Sequence, residues 1–140
     1  MQAVAKTPPV STKSLWAGRI ITALPVLFLL IDGVMKLLKP TRVVETTVQL
    51  GYPESVILPI GIVLLVCTVL YAIPRTCVLG AILLTGHLGG AVATQVRVGA
   101  GPFPIVFPII LGVLIWLGLY LREDRLRTLV PYLPSRRPIN

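Results

Sequence analysis

Charged residues are scarce in this chain. They make up 13% of its 140 residues, and only five residues are acidic. Soluble globular domains carry about a quarter of their residues as charged side chains, so this composition argues against an ordinary soluble domain. The hydrophobic fraction of 55% and the mean hydropathy of +0.89 indicate the same. We therefore expect an integral membrane protein with one domain.

Histidine and cysteine are also scarce: the chain has one histidine, His87, and two cysteines, Cys67 and Cys77. A lone histidine without a second histidine, a glutamate or paired cysteines nearby makes a poor metal site, which argues against zinc and haem. The cysteines flank a turn at residues 73–75 without forming a CxxC motif. Cysteines in apolar helices are usually small packing residues, and a redox pair is the less favoured interpretation.

Acidic residues are outnumbered by basic ones, 5 to 13, which gives a net charge of +8. Such an excess can indicate nucleic-acid binding. Here the basic residues lie at the ends of apolar segments and are not interleaved with aromatic residues. That placement is typical of membrane topology and of contact with anionic lipid headgroups. The predicted partner is therefore the lipid bilayer and not nucleic acid.

Four long apolar segments are present instead, at residues 15–38, 56–73, 77–96 and 103–121. About 20 helical residues cross a hydrocarbon core of ~30 Å, so each segment is long enough to span it. Residues 41–50 alternate apolar and polar side chains at helical spacing, which predicts a short amphipathic helix on the membrane surface. The predicted fold is all-α: a four-transmembrane-helix bundle over residues 15–121, with a flexible tail at 1–14 and a basic tail at 122–140.

The distribution of Lys and Arg predicts the orientation. Nine lie on the side of both predicted tails and of the turn between the second and third segments: Lys6, Lys13, Arg19, Arg75, Arg122, Arg125, Arg127, Arg136 and Arg137. Four lie on the other side: Lys36, Lys39, Arg42 and Arg97. Because cytoplasmic loops are enriched in basic residues, we expect a multi-pass protein of the cytoplasmic membrane with both termini in the cytoplasm.

Two charged residues lie inside the first apolar segment. Asp32 and Lys36 are four residues apart and so share a helix face, and pairing offsets the ~2.5–3.5 kcal/mol that a charge costs near the bilayer centre. One interpretation is that the pair sets the depth and packing of the helix. The other is that Asp32 carries a proton or contacts a ligand, while Lys36 holds it ionised or binds an anionic headgroup.

His87 lies in the middle of the third segment, among small residues. Gly86 and Gly90 form a GxxxG motif, so Gly86, Gly89 and Gly90 are predicted to pack against another helix. His87 either hydrogen-bonds that neighbour or acts as a proton relay or quinone contact, because imidazole titrates near neutral pH. Asp32 and His87 are expected ~9 Å and ~14 Å below the outer helix ends. We therefore predict a polar pocket in the outer half of the bundle, lined by Asp32, Lys36, His87, Thr94, Gln95 and Arg97.

Four motifs resemble the DoxX-like family of small four-helix membrane proteins: DGVMKL at 32–37, LGYP at 50–53, LGAILLTGHLGGA at 79–91 and WLGLYLR at 116–122. The resemblance implies a bacterial cytoplasmic-membrane protein. The wider DoxX and DoxD grouping includes a subunit of a thiosulfate–quinone oxidoreductase and components of oxidative-stress membrane complexes. It supplies no catalytic triad to transfer, and its Gly-x-x-Lys-Leu pattern places Lys36 among the site residues.

Three functions are compatible with this pattern. The first is an auxiliary subunit of a quinone-linked membrane redox assembly, without independent catalytic activity, which holds a quinone or lipid-like ligand or an oxidoreductase partner. The second is a membrane scaffold or chaperone-like interaction protein, which the glycine-rich segment favours. The third is a small proton-coupled transporter, for which four spans are few unless the chain forms a homo-oligomer.

Overall fold

A computed structural model of the chain describes residues 12–129, apart from the Arg127 side chain. Six helices run in the order α1 (Thr12–Leu38), α2 (Thr41–Gln49), α3 (Ile57–Ala72), α4 (Cys77–Arg97), α5 (Pro102–Arg122) and α6 (Asp124–Leu129). A 3-10 turn at Glu54–Val56 leads directly into α3. Helices α1, α3, α4 and α5 are long and apolar enough to cross a membrane. The predicted all-α, four-span fold with a short helix between the first two spans is confirmed.

Helices extend into both of the predicted tails. Helix α1 begins at Thr12, inside the predicted tail, because the Ser14 hydroxyl donates to the Leu121 carbonyl at 3.2 Å and ties its first turn to α5. At the other terminus α6 forms within the predicted basic tail, where Leu126 is buried against the core. The rest of the predicted tails, residues 1–11 and 130–140, lies outside the described residues.

The four spanning helices form a closed ring in which α1 contacts α3 and α5, and α4 contacts the same two helices. One end of the bundle holds the first turn of α1, the turn between α3 and α4, and the last turn of α5. We call it the basic end, because Lys13, Arg19, Arg75, Arg122 and Arg125 lie there. The opposite end, which carries α2, is called the α2 end.

The core lies on the axis of this ring. Leu64, Leu84 and Leu119 are fully buried there, and so is Tyr71, whose hydroxyl donates to the Ile115 carbonyl at 2.8 Å. Small residues let the helices approach closely in membranes, where there is no hydrophobic drive between helices. The close approaches are Gly33 with Gly61, Gly18 with Gly118, and Gly80 with the backbone of Tyr71.

Within residues 12–129, Gly86, Gly89 and Gly90 pack against no other helix, so their packing role stays a prediction. A Cβ added at any of the three would meet no atom within 4 Å, and all three residues are exposed. Helix α4 instead turns its other face to the core, through Gly80, Ala81, Leu84 and Leu88. A GxxxG spacing therefore identifies a smooth face without identifying which helix, if any, contacts it.

Candidate functional site

A cavity of about 460 Å³ opens at the α2 end of the bundle. Its walls come from α1, α3 and α4, and its cover comes from α2 and the connection that follows it. The lining residues are Asp32, Lys36, Thr47, Leu50, Tyr52, Ile60, His87, Gly90, Ala91, Thr94 and Gln95. The volume falls within the ~300–1,000 Å³ of typical small-molecule sites. Five of the six residues predicted to form a polar pocket are brought together here.

Asp32 and Lys36 form an ion pair along α1. Lys36 Nζ donates to Asp32 Oδ2 at 2.5 Å. The Lys36 side chain is 20% exposed and the Asp32 side chain is 38% exposed. The stem of Lys36 is held by α3, since a Cβ added at Gly61 would lie 2.8 Å from Lys36 Cβ. The glycine at position 61 therefore lets the lysine lie flat against α3 with its ammonium group at the cavity.

His87 and Gln95 contribute polar groups that the protein itself does not use. Both line the cavity from α4 and both are half-buried. Neither side chain makes a hydrogen bond with any residue in the range 12–129. Since both side chains line the cavity and neither is fully buried, a ligand or water in the cavity can reach their polar atoms. Imidazole and amide can both donate and accept.

Thr94 and Tyr52 close the cavity at the α2 end of the bundle. The Thr94 hydroxyl donates to the Gly90 carbonyl at 2.9 Å, and the Tyr52 hydroxyl lies 2.8 Å from the same Thr94 oxygen. Because a hydroxyl has one hydrogen, Tyr52 must be the donor in the second bond. The chain directly after α2 is thereby joined to α4.

The sequence model of the DoxX-like family matches residues 20–118 of the chain. The chain belongs to the DoxX-like family. No match is found among curated proteins or among solved structures. The matched range runs from α1 to the last turns of α5, and it therefore includes every residue that lines the cavity of this DoxX-like protein.

Arg97 is the one predicted pocket residue that does not line the cavity. It is exposed at the last turn of α4, where its guanidinium donates to the Leu50 carbonyl at 2.8 Å and lies 6.0 Å from the centroid of the Tyr52 ring. The prediction that Arg97 lines the pocket is therefore wrong. Its physical role is to fasten the chain that covers the cavity, because α4 extends past the cavity before it ends.

Residues 41–52 form a strap over the cavity. Near each end of the strap one residue has a left-handed backbone conformation: Lys39 with φ 49° just before it, and Gly51 with φ 89° in its last turn. Thr47, Leu50 and Tyr52 line the cavity from the strap, and sequence reasoning missed all three. The amphipathic pattern of α2 indicates that one of its faces packs on an apolar surface. No local sequence pattern identifies that surface as the cavity.

We expect Arg97→Gln to loosen the strap. The substitution removes the charged donor to the Leu50 carbonyl. At this exposed site the loss costs about 1 kcal/mol, which raises the equilibrium constant for strap opening about fivefold. A cysteine introduced at Gln95 reports this opening as a faster reaction with a water-soluble maleimide, while Cys67 and Cys77 are buried and contribute little background.

Arg42→Gln is the matched control for this experiment, because Arg42 lies on the exposed side of α2. Equal labelling rates in the Arg97 variant, the Arg42 variant and the parent would contradict the fastening role of Arg97.

Proposed function

We propose that the DoxX-like protein binds an amphipathic ligand of the quinone or lipid class in the α2-end cavity and acts as an auxiliary subunit of a membrane redox assembly. The observation that carries this proposal is the pair of half-buried polar side chains, His87 and Gln95, on one wall of the cavity, neither of which has a hydrogen-bond partner within residues 12–129. The other walls combine the Asp32–Lys36 pair with apolar Leu50 and Ile60.

The chemistry of the wall suits a head group with carbonyl or hydroxyl oxygens. Lys36 uses one of its three donors on Asp32, and two remain for a ligand. His87 and Gln95 donate to a carbonyl oxygen and accept from a hydroxyl, so the same wall serves the oxidised and the reduced form of a quinone. Electrons would come from the partner oxidoreductase.

The proposed location is the cytoplasmic membrane of a bacterium, with the basic end of the bundle in the cytoplasm. Support comes from the excess of Lys and Arg at that end, because the cytoplasmic segments of membrane proteins are enriched in basic residues. The cavity then opens in the outer half of the bilayer, where a membrane-soluble ligand enters from the lipid.

Native mass spectrometry of the detergent-extracted protein tests the proposal. A quinone or lipid should stay bound to the wild type and be lost from His87→Ala and from Gln95→Ala. Neither substitution breaks a hydrogen bond among residues 12–129, so both variants should fold. Gly89→Ala is the control, because Gly89 lies on the exposed face of α4 and does not line this cavity. Retention of the same ligand by His87→Ala and Gln95→Ala would overturn the proposal.

A membrane scaffold is the second candidate function. It is favoured by the exposed face of Gly86, Gly89 and Gly90, which is open enough for the backbone of a partner helix to approach. The same measurement separates the two candidates. A stable protein partner without any small ligand, lost on replacing Gly89 by leucine and kept in His87→Ala, would favour the scaffold over the ligand-binding subunit.

A further inference from the structure

A second, larger cavity lies between α4 and α5, on a different face of the bundle from the α2-end cavity. It is a groove of about 810 Å³. It is lined by Thr85, Ile109, Gly112, Val113, Trp116, Leu117, Tyr120, Leu121 and Leu126. The lining shares no residue with the first cavity.

The groove offers little to a polar ligand. Trp116 Nε1 donates to Thr85 Oγ1 at 2.8 Å, and that hydroxyl donates in turn to the Ala81 carbonyl at 2.7 Å. These two wall residues thus satisfy each other and the backbone. Water needs two to four polar partners to occupy a cavity, so hydrocarbon is the fitting occupant.

The position of the groove indicates where the hydrocarbon comes from. Ile109, Val113 and Leu117 recur every four residues of α5 and form an exposed lip, with 50%, 59% and 42% of their surfaces accessible. Apolar side chains that are this exposed on a membrane-spanning helix face the lipid. The groove descends along α5 and reaches the basic end, where Leu126 of α6 is buried beside it.

The positive charge at the basic end favours a lipid with an anionic head group. Among the described side chains that end carries five basic residues, Lys13, Arg19, Arg75, Arg122 and Arg125, against two acidic ones, Glu123 and Asp124. Arg125 is exposed and directly precedes Leu126. We propose that the groove binds an anionic phospholipid, with an acyl chain between α4 and α5 and the phosphate beside the Arg125 side chain.

Gly112→Leu tests the acyl-chain part of the proposal. A Cβ at position 112 would meet only Leu88 Cδ1, at 3.8 Å, which is ordinary van der Waals contact, so the added side chain fills the groove without a backbone clash. Gly89→Leu adds the same side chain to α4 at a position with no atom within 4 Å and outside the groove. It is therefore the matched control.

The protein is reconstituted in vesicles that mix phosphatidylglycerol and phosphatidylcholine in a known ratio, and the lipid retained after detergent extraction is measured by native mass spectrometry. The wild type and Gly89→Leu should retain phosphatidylglycerol above its share in the vesicles, and Gly112→Leu should lose this enrichment. His87→Ala, which alters only the α2-end cavity, should keep it. Arg125→Gln should lower the preference for phosphatidylglycerol about fivefold, while Arg75→Gln at the same end should not.

Three results would overturn the proposal. The first is equal enrichment in Gly112→Leu and Gly89→Leu. The second is retention of both lipids in the vesicle ratio by the wild type, which would mean that the groove is filled by any acyl chain. The third is a dimer that carries no lipid and dissociates in Gly112→Leu, which would identify a second copy of the chain as the occupant.

Discussion

Gly80→Ala is expected to destabilise the bundle by about 1–3 kcal/mol, the range for overpacking a tightly filled interior. A Cβ at position 80 would lie 2.2 Å from the Tyr71 backbone nitrogen and 2.4 Å from its Cα. Backbone atoms cannot rotate away as a flexible side chain does, so α3 and α4 must separate. The separation disturbs Tyr71, which is fully buried and hydrogen-bonded to the Ile115 carbonyl on α5.

The same substitution on the opposite face of α4 should have the opposite sign. Gly89→Ala adds a methyl group where no atom lies within 4 Å. Alanine in a helix interior is favoured over glycine by about 0.5–1 kcal/mol, so this variant should be as stable as the parent or more stable. Unfolding in mixed detergent micelles, followed by circular dichroism, measures both variants. A stable Gly80→Ala or an unstable Gly89→Ala would mean that α4 turns its other face to the core.

This contrast also defines what the sequence could predict of the fold. The four spans can be predicted from the sequence, because each apolar segment has the length that a bilayer requires. The orientation of each helix about its axis did not follow. Helix α3 is apolar around its whole circumference, and glycines occur on both faces of α4, at Gly80 and at Gly86. Only contacts between distant segments, such as Gly80 with Tyr71, decide which face is buried.

The candidate site divides in the same way. Asp32, Lys36 and His87 could be singled out because polar side chains within spans are expensive and so mark a cavity or a partner. Arg97 was placed in the pocket wrongly, since its distance along α4 gave its depth but not its contact with the Leu50 carbonyl. The strap contributes Thr47 and Tyr52 through a chain reversal at Lys39 and Gly51 that no local pattern specifies.

Lys36→Met is the second substitution with a large expected effect. Methionine keeps an apolar stem of similar length against Gly61, so packing is preserved while the ammonium group is lost. Asp32 is then an unpaired charge within a spanning helix. Because its side chain is 38% exposed, we expect less than the ~3–5 kcal/mol that breaking a buried ion pair costs, about 1–3 kcal/mol of lost stability. Lys13→Met, at the start of α1, should change stability by less than about 0.5 kcal/mol.

The double variant Asp32→Leu with Lys36→Met decides between the two interpretations of the pair. Replacing both partners by apolar groups removes the unpaired charge, so most of the stability lost in Lys36→Met should return. If the pair serves the cavity, the refolded double variant no longer retains the ligand that the wild type binds in native mass spectrometry. If the pair only sets the depth and packing of α1, stability returns and the ligand stays. We expect stability to return without the ligand, because the Lys36 ammonium group lies at the cavity wall with donors that the protein does not use.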